Sequence, residues 1–406
     1  MEPKVRFKGF SGEWNVYTIG DIAPVMGGYA FQSEQFSNSG IAIVRISNIL
    51  DTGIIGGDFV KYDIFTGDTS FRLYSGDILI AMSGATTGKV AIVKTDKFLY
   101  QNQRVGKFSR TDKINYSFLA SIVGSNKFRL ELNKRLTSSA QPNASSRDID
   151  SIQQYLPNDI IEQGTIASFF SSIDSTIISS AKKLASLKKL KSASLVTMFP
   201  QNGESTPKVR FKGFEGEWSK EILGNIAKFS KGQGYSKSDL REDGHPIILY
   251  GRMYTKYQFT INNVDTFAYL KEASVFSEGN EIIMPASGET PEDIARASAV
   301  LKKGIILGGD LNIMHFDLKK HSTPFIALAI TYSNTHYDLS KCAQGKSVVH
   351  LHNEAISKAT ITLPSYEEQQ AIASFFRTLN RKIALETARL EKLKQIKLAC
   401  LDKMFV

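Results

Sequence analysis

Cysteine is scarce in this chain: Cys342 and Cys400 are the two among 406 residues. Two thiols cannot build a disulfide framework in a chain this long, and neither sits in a Cys-x-x-Cys pair. The sequence therefore predicts no zinc site and fits a reducing compartment. No apolar run approaches the roughly 18 residues that span a bilayer, and the opening MEPKVRFKGF is charged where a secretory signal is apolar. A soluble, cytoplasmic protein with no membrane partner is expected. Acidic residues are also in deficit, 40 against 50 Lys+Arg for a formal net charge of +10. That balance points to a negatively charged partner, most simply nucleic acid.

Catalytic signatures are missing as well. Gly84 to Val90 (GATTGKV) invites comparison with a phosphate-cradling loop, but that loop needs four residues between its glycines and Ser or Thr after the Lys. A Gly-rich turn between strands is the plainer reading. Gly232-Gln233-Gly234 lacks the third glycine of a dinucleotide fingerprint. There is no Asn-Pro-Pro-aromatic or Asp-Pro-Pro-Tyr methyltransferase motif, and Pro291-Glu292-Asp293 is not followed by the acid-x-Lys of a nuclease. All six histidines, His245, His315, His321, His336, His350 and His352, lie in the second half. His350 and His352 would share one strand face, yet no carboxylates at fixed spacing make them metal ligands. No nucleophile, base and orienting acid can be assembled. The chain is expected to hold no catalytic residue, cofactor or metal. A self-contained nuclease or methyltransferase, and a coiled-coil adaptor without a nucleic-acid role, stand as alternatives.

What is present is a duplication. PKVRFKGFSGEW (Pro3–Trp14) returns as PKVRFKGFEGEW (Pro207–Trp218), and IASFF at Ile166–Phe170 returns at Ile372–Phe376. Leu-Pro precedes each IASFF, at Leu156-Pro157 and Leu363-Pro364, and each copy closes on Met-Phe, at Met198-Phe199 and Met404-Phe405. SGATTG (Ser83–Gly88) and SGETPE (Ser287–Glu292) each follow an apolar run. A period this long reads as a doubled domain plus connector, consistent with the two or three domains that a chain of this length predicts at about 150 residues each.

The early part of each copy carries short apolar runs such as IAIVRISNI, GDILIAM, HPIILYG and NEIIMP, broken by Gly, Asn and Asp, which predicts strands with long loops. From Asp159 and Glu367 the pattern turns helical for some forty residues. Ile173, Ile177, Leu184 and Leu187, with Ser180 in the gap, hold the 3 and 4 spacing, as do Ile383, Leu390, Leu393, Cys400 and Met404; Leu190 and Ile396 widen the stripes. An amphipathic helix lying on a globular core would account for the pattern, but forty residues make a rod of about 60 Å, more than one small domain needs. The linker PQNGESTP reaches at most about 25 Å and cannot return along such a rod. The expected α+β architecture is therefore two mixed α/β domains separated by two long helices in an antiparallel coiled coil with pseudo-twofold symmetry. The divisions are 1–158, helix 159–199, linker 200–206, 207–365 and helix 366–406.

Polar and basic loop residues differ between the copies and form the candidate nucleic-acid contacts. Copy one offers Tyr29, Gln32, Arg45, Asn48, Lys61, Ser83, Thr86, Thr87, Lys89, Gln103 and Arg104. Copy two offers Lys231, Gln233, Tyr235, Lys237, Tyr250, Arg252, Tyr254, Lys256, Ser287, Thr290 and Lys346. Such side chains pair with base edges and phosphates, although each alone also suits a solvated loop. Lys182, Lys183, Lys188, Lys189 and Lys191 give the first helix a basic face, a solvated flank or a surface turned toward DNA or protein.

The duplicated PKxRFxGFxGEW opening, the GD-I-L-I then S-G-x-T signal, and the Leu-Pro, Glu-Gln, IASFF sequence leading into each helix together resemble the specificity subunits of type I restriction-modification systems, over the whole chain. The resemblance implies that each half is a target recognition domain reading one part of a split double-stranded DNA site. It implies that the helices act as ruler and docking rod for two modification methyltransferase subunits through Ile177, Leu184, Leu187, Leu190, Ile383, Leu390, Leu393 and Ile396. Restriction/translocase subunits are the further partners. Catalysis would belong to those partners, with S-adenosylmethionine and ATP bound there and no cofactor in this chain.

Overall fold

The computed structural model describes residues 1–65, 67–136, 143–201, 203–345 and 348–406. The chain folds as two units, Met1–Ala181 with Ala388–Val406, and Lys182–Thr387. These boundaries fall inside the two long helices, not at their starts, because the last turns of each helix belong to the core of the other copy's unit. Each copy is a mixed α/β domain followed by one long helix.

In unit 1, Asn15–Thr18 pairs antiparallel with Gln153–Leu156 and ties the start of the globular part to its end. One sheet runs Val25–Gly27, Val105–Phe108, Ile78–Ala81, Val90–Ile92, all antiparallel. A second runs Lys61–Tyr62, Ile41–Val44, Leu99–Gln101, Arg72–Leu73, with Ile43 and Val44 parallel to Tyr100 and Gln101. The run Ile78–Ala81 lacks polar alternation because both its faces are covered. Helix α1 (Tyr116–Val123) follows, its N-terminus capped by the Asn115 side chain, which accepts from the Phe118 N–H. The long helix α2 then runs from Ile160 to Thr197.

Unit 2 repeats the plan. Ser219–Ile222 pairs with Thr360–Leu363. One sheet runs Ala227–Lys231, Leu311–Phe316, Glu281–Pro285, Ser298–Val300, Thr260–Ile261; the other pairs His245–Ile248 parallel to Ile306–Leu307. Helix α3 (Thr323–Tyr332) corresponds to α1, and α4 (Tyr366–Met404) to α2.

The repeated motifs are the frame of each unit. Arg6 donates from Nε and Nη2 to the buried Glu162 carboxylate at 2.7 and 2.8 Å and from Nη1 and Nη2 to the Gly12 and Ser11 carbonyls. Arg210 does the same to Glu368, at 2.7 Å for both contacts, and to Gly216 and Glu215. Such bidentate pairs fix angle as well as distance. Gln163 donates to the Pro157 carbonyl and accepts from the Asn115 N–H; Gln369 donates to Pro364 and accepts from Ser322. The Arg of the opening and the Glu-Gln of the helix start thus lock the long helix to its domain. The closing Met-Phe explains the rest. Phe405 stacks on Phe118 and Phe170 and meets Trp14 edge-on, while Phe199 packs on Phe325, Phe376 and Trp218, all at 5.8–6.4 Å between ring centres.

Within each unit the helical segments pair antiparallel. In unit 1 Phe170 meets Phe405 and Asp174 pairs with Lys397; in unit 2 Phe199 meets Phe376 and Lys183 pairs with Glu386 at 2.8 Å. Leu184 and Leu390 are buried, whereas Ile177, Leu187, Ile383 and Leu393 are half-buried. Leu190 and Ile396 correct the expectation of a widened stripe: they are 48% and 41% exposed. Each is six residues beyond a buried leucine, about 120° around the helix from it. Ser180 is buried, as its place in the gap of the first stripe implies, and Glu386, which the apolar residues of the second stripe leave out, is buried as well. Lys182, Lys188 and Lys189 are exposed, Lys183 is in the ion pair, and burial lowers the pKa of the half-buried Lys191 ammonium.

Candidate nucleic-acid interface

Backbone pairing gathers the sequence-distant candidates of unit 1 into one loop cluster. Tyr29 N–H donates to Gln101, Gln103 N–H to Tyr29, Asn102 N–H to Val44, and Met82 N–H to Arg104. Gly28 is required at this crossing, since a Cβ there would lie 2.3 Å from the Gln101 carbonyl oxygen. Arg45, the Ser83–Lys89 turn and Gln103-Arg104 therefore share one end of the sheets. The same happens in unit 2. Gln233 N–H donates to Leu307, Gly309 N–H to Gly234, Gly308 N–H to Ile248, Ala286 N–H to Asp310 and Leu351 N–H to Ala286. A Cβ on Gly232 would meet the Gly308 oxygen at 2.0 Å, so this glycine of the GxG motif serves close backbone packing.

The clusters do not leave every candidate free. Asn48 is buried, with its side-chain N–H groups on the Gly56 and Asp58 carbonyls and its oxygen on the Arg45 N–H; the short loop needs an amide to close it. Tyr235 is buried too, its hydroxyl against Ser274 and the Tyr269 carbonyl. Ser83 is buried and accepts from Arg104 at 3.4 Å. Thr86 and Thr87 donate back into their own turn, and Lys61 to the Asn38 carbonyl. Thr290 caps the short helix Pro291–Ile294. Ser287, also buried, shares a 3.1 Å hydrogen bond with His350 Nδ1, and Tyr254 donates to the Ser287 carbonyl. Burial raises the Tyr254 phenol pKa, so it stays protonated.

Acids from other loops neutralise several cations. Lys89 pairs with Asp51 at 2.8 Å, and Arg252 and Lys256 share Asp265, whose carboxyl is held far below its ordinary range by Lys256 and then Arg252. Tyr29 is half-buried among Phe31, Phe65 and Phe71 at 4.9–5.2 Å. Arg45 is half-buried with its Nε unpartnered. Gln32, Gln103 and Arg104 in unit 1 and Lys231, Gln233, Lys237 and Tyr250 in unit 2 are exposed. Lys346 lies outside the described residues.

His350, set aside in the sequence as a metal ligand and left out of the candidate contacts, joins this cluster through Ser287. The two-residue strand Val349–His350, paired with Ser287–Gly288, brings it there; the strand ends before His352, which precedes the short helix Asn353–Lys358, so the two do not share a strand face as expected. Its ring lies parallel to that of His352, 6.2 Å between centres. Among the described residues no three His, Cys, Asp or Glu side chains gather as metal ligands, and no helix is long and apolar enough to cross a membrane.

Comparison with known proteins places this geometry. The type I restriction modification DNA specificity domain matches twice, at residues 11–189 and 215–395. The specificity subunit of the type I restriction enzyme MjaVIII of Methanocaldococcus jannaschii is 28% identical over 187 residues, and the match spans 44% of each protein. Among solved structures, the S subunit of a type I restriction-modification system from M. genitalium superposes with a TM-score of 0.65 at 15% identity, covering 100% of this chain and 99% of the other. A chain from a structure on complex assembly and conformational transition of the type I R-M system gives 0.52 at 15% identity, covering 98% and 99%. With both copies matched, each into its long helix, the chain belongs to the type I restriction modification DNA specificity domain family.

Proposed function

We propose that this protein is the DNA-sequence-specificity subunit of a type I restriction-modification complex and reads a bipartite, asymmetric double-stranded DNA site, one half per unit. The observation that carries the reading is one frame used twice with two unlike loop clusters: the Arg–Glu–Gln locks match, while the exposed residues at the loops do not. A repeated frame gives each reader the same attachment to its helix, and dissimilar loops give each its own bases. Chemistry falls to two modification methyltransferase subunits that use S-adenosylmethionine and to restriction/translocase subunits that use ATP; this chain positions them in the cytoplasm and catalyses nothing itself. Leu190 and Ile396 are the members of the apolar set left open for such partners; Leu184 and Leu390 are spent in packing.

The test is selection of randomised duplexes by the assembled complex at two salt concentrations. Two specified blocks with an unspecified spacer, and binding that falls steeply with salt, are expected. One continuous motif, or no enrichment, would contradict the reading.

A further inference from the structure

Beside the start of α4, unit 2 holds a cavity of about 440 Å³ between that helix and the N-terminus of α3. Its lining is unusually short of partners. Thr323, 1% exposed, has its hydroxyl oxygen buried without a hydrogen bond, and the same holds for Nδ1 of the half-buried His321. The Ser322 side chain does not cap α3, and Pro324 has no N–H, so the positive end of the helix faces the cavity without an acceptor from its own cap. Arg377 stands exposed on the lining, and among the described residues no acid pairs with it.

Unit 1 has the matching cavity, about 480 Å³, beside the start of α2. There the helix end is satisfied by Asn115, and the position of Arg377 is Ser171, the residue after the IASFF motif in each copy. The frame that builds the cavity is shared, but its cationic, acceptor-hungry character belongs to unit 2.

We propose that the unit 2 cavity is a carboxylate socket: a docked partner subunit inserts one Asp or Glu side chain, which accepts from Arg377, the Thr323 hydroxyl and the open helix end. This rests on the reading that partner subunits dock on the long helices. A carboxylate fits the observations better than a DNA phosphate does. The deepest donor is almost wholly buried, so the anion must project on its own stem, and Leu301, Leu318 and Ala373 line a path suited to methylenes. The consequence is that the two docking positions are inequivalent, one anchored by a charge-assisted contact and one without it.

The experiment measures stepwise assembly of the full chain with its modification subunits by calorimetry, alongside duplex DNA binding by the free chain. Arg377→Gln should weaken one of the two docking steps roughly ten- to hundred-fold, the range for loss of a charged hydrogen bond, and leave the other step and the melting temperature unchanged. Thr323→Val should weaken the same step by a smaller factor without loss of fold, since it removes a hydroxyl that has no partner in the free chain. Arg377→Lys should restore part of the affinity. If both steps are unchanged in Arg377→Gln, the socket takes no partner group and the proposal is wrong. If Arg377→Gln instead lowers DNA affinity and its salt dependence while assembly is intact, the cavity serves a phosphate and the proposal is equally wrong. Failure of the wild-type chain itself to bind any modification subunit would overturn the docking reading first, and the socket with it.

Discussion

Unit 1 and unit 2 differ least where side chains are buried and most where loops meet solvent. The Arg6–Glu162 and Arg210–Glu368 locks agree to within 0.1 Å in every matched contact, while the exposed candidates are Gln32, Gln103 and Arg104 in one cluster and Lys231, Gln233, Lys237 and Tyr250 in the other. The lesson is that the duplication preserves the part that holds a helix at a set angle and leaves the solvent-exposed loops free to differ. A buried bidentate pair tolerates almost no change, because losing either partner strands a charge out of water. A solvated loop tolerates nearly any.

The comparison breaks hardest at the locks. Arg6→Ala leaves Glu162 buried and unpaired and should cost unit 1 about 3–5 kcal/mol, read by hydrogen exchange as lost protection in that unit alone. Arg210→Ala should do the same to unit 2. Equal loss in both units from one substitution would show that the copies do not stabilise themselves separately.

A second difference is internal to unit 2. Glu281, 2% exposed at the start of Glu281–Pro285, has no hydrogen-bond partner of normal geometry, and burial pushes its pKa up to about 7, offset in part by the backbone N–H groups of Glu281 and Gly279. A raised folded-state pKa means that the stabilising protonated form is intact below the unfolded value near 4.5 and is lost as the pH rises through about 7. Glu281→Gln should therefore raise the stability of unit 2 at pH 8 by an amount on the order of 3 kcal/mol and change it little at pH 4. A pH-independent effect in denaturant melts would show that the carboxyl is not neutral in the fold.

Smaller effects sharpen the comparison at the loops. Arg104→Ala, which removes an exposed cation, should lower the slope of log affinity against log salt by about 1. Lys256→Ala should lower it less, because Asp265 already neutralises that ammonium. Equal slopes in gel-shift titrations would mean that the intramolecular pairs open on DNA.

The frame was legible in the sequence and the loops were only partly so, for one physical reason. Pro3–Trp14, IASFF and the closing Met-Phe repeat because each is one side of a contact whose other side is also repeated: Phe7 on Phe169 and Phe211 on Phe375, Trp14 on Phe405 and Trp218 on Phe199. Helical spacing announced α2 and α4 and put Ser180 in the stripe, where it is buried, but the buried positions could not all be read from apolar residues, since Glu386 is buried while Leu190 and Ile396 are not. Loop residue types suggested ligand contact; which of them are already spent depends on Asp51, Asp265 and the carbonyls around Asn48, brought in by folding from positions with no fixed spacing. Of the two changes that set the cavities apart, Arg377 against Ser171 stands directly after an identical motif, while Ser322 against the capping Asn115 has no such marker.

The proposed function requires two independent readers on one repeated frame. Its most direct test exchanges residues 15 to 155 for the corresponding stretch of a related specificity subunit and reads the methylated motif from genomic DNA of cells carrying the chimera. One half of the motif should change while the other half and the spacer length persist; a change in both halves, or in the spacer, would rule out two independent readers.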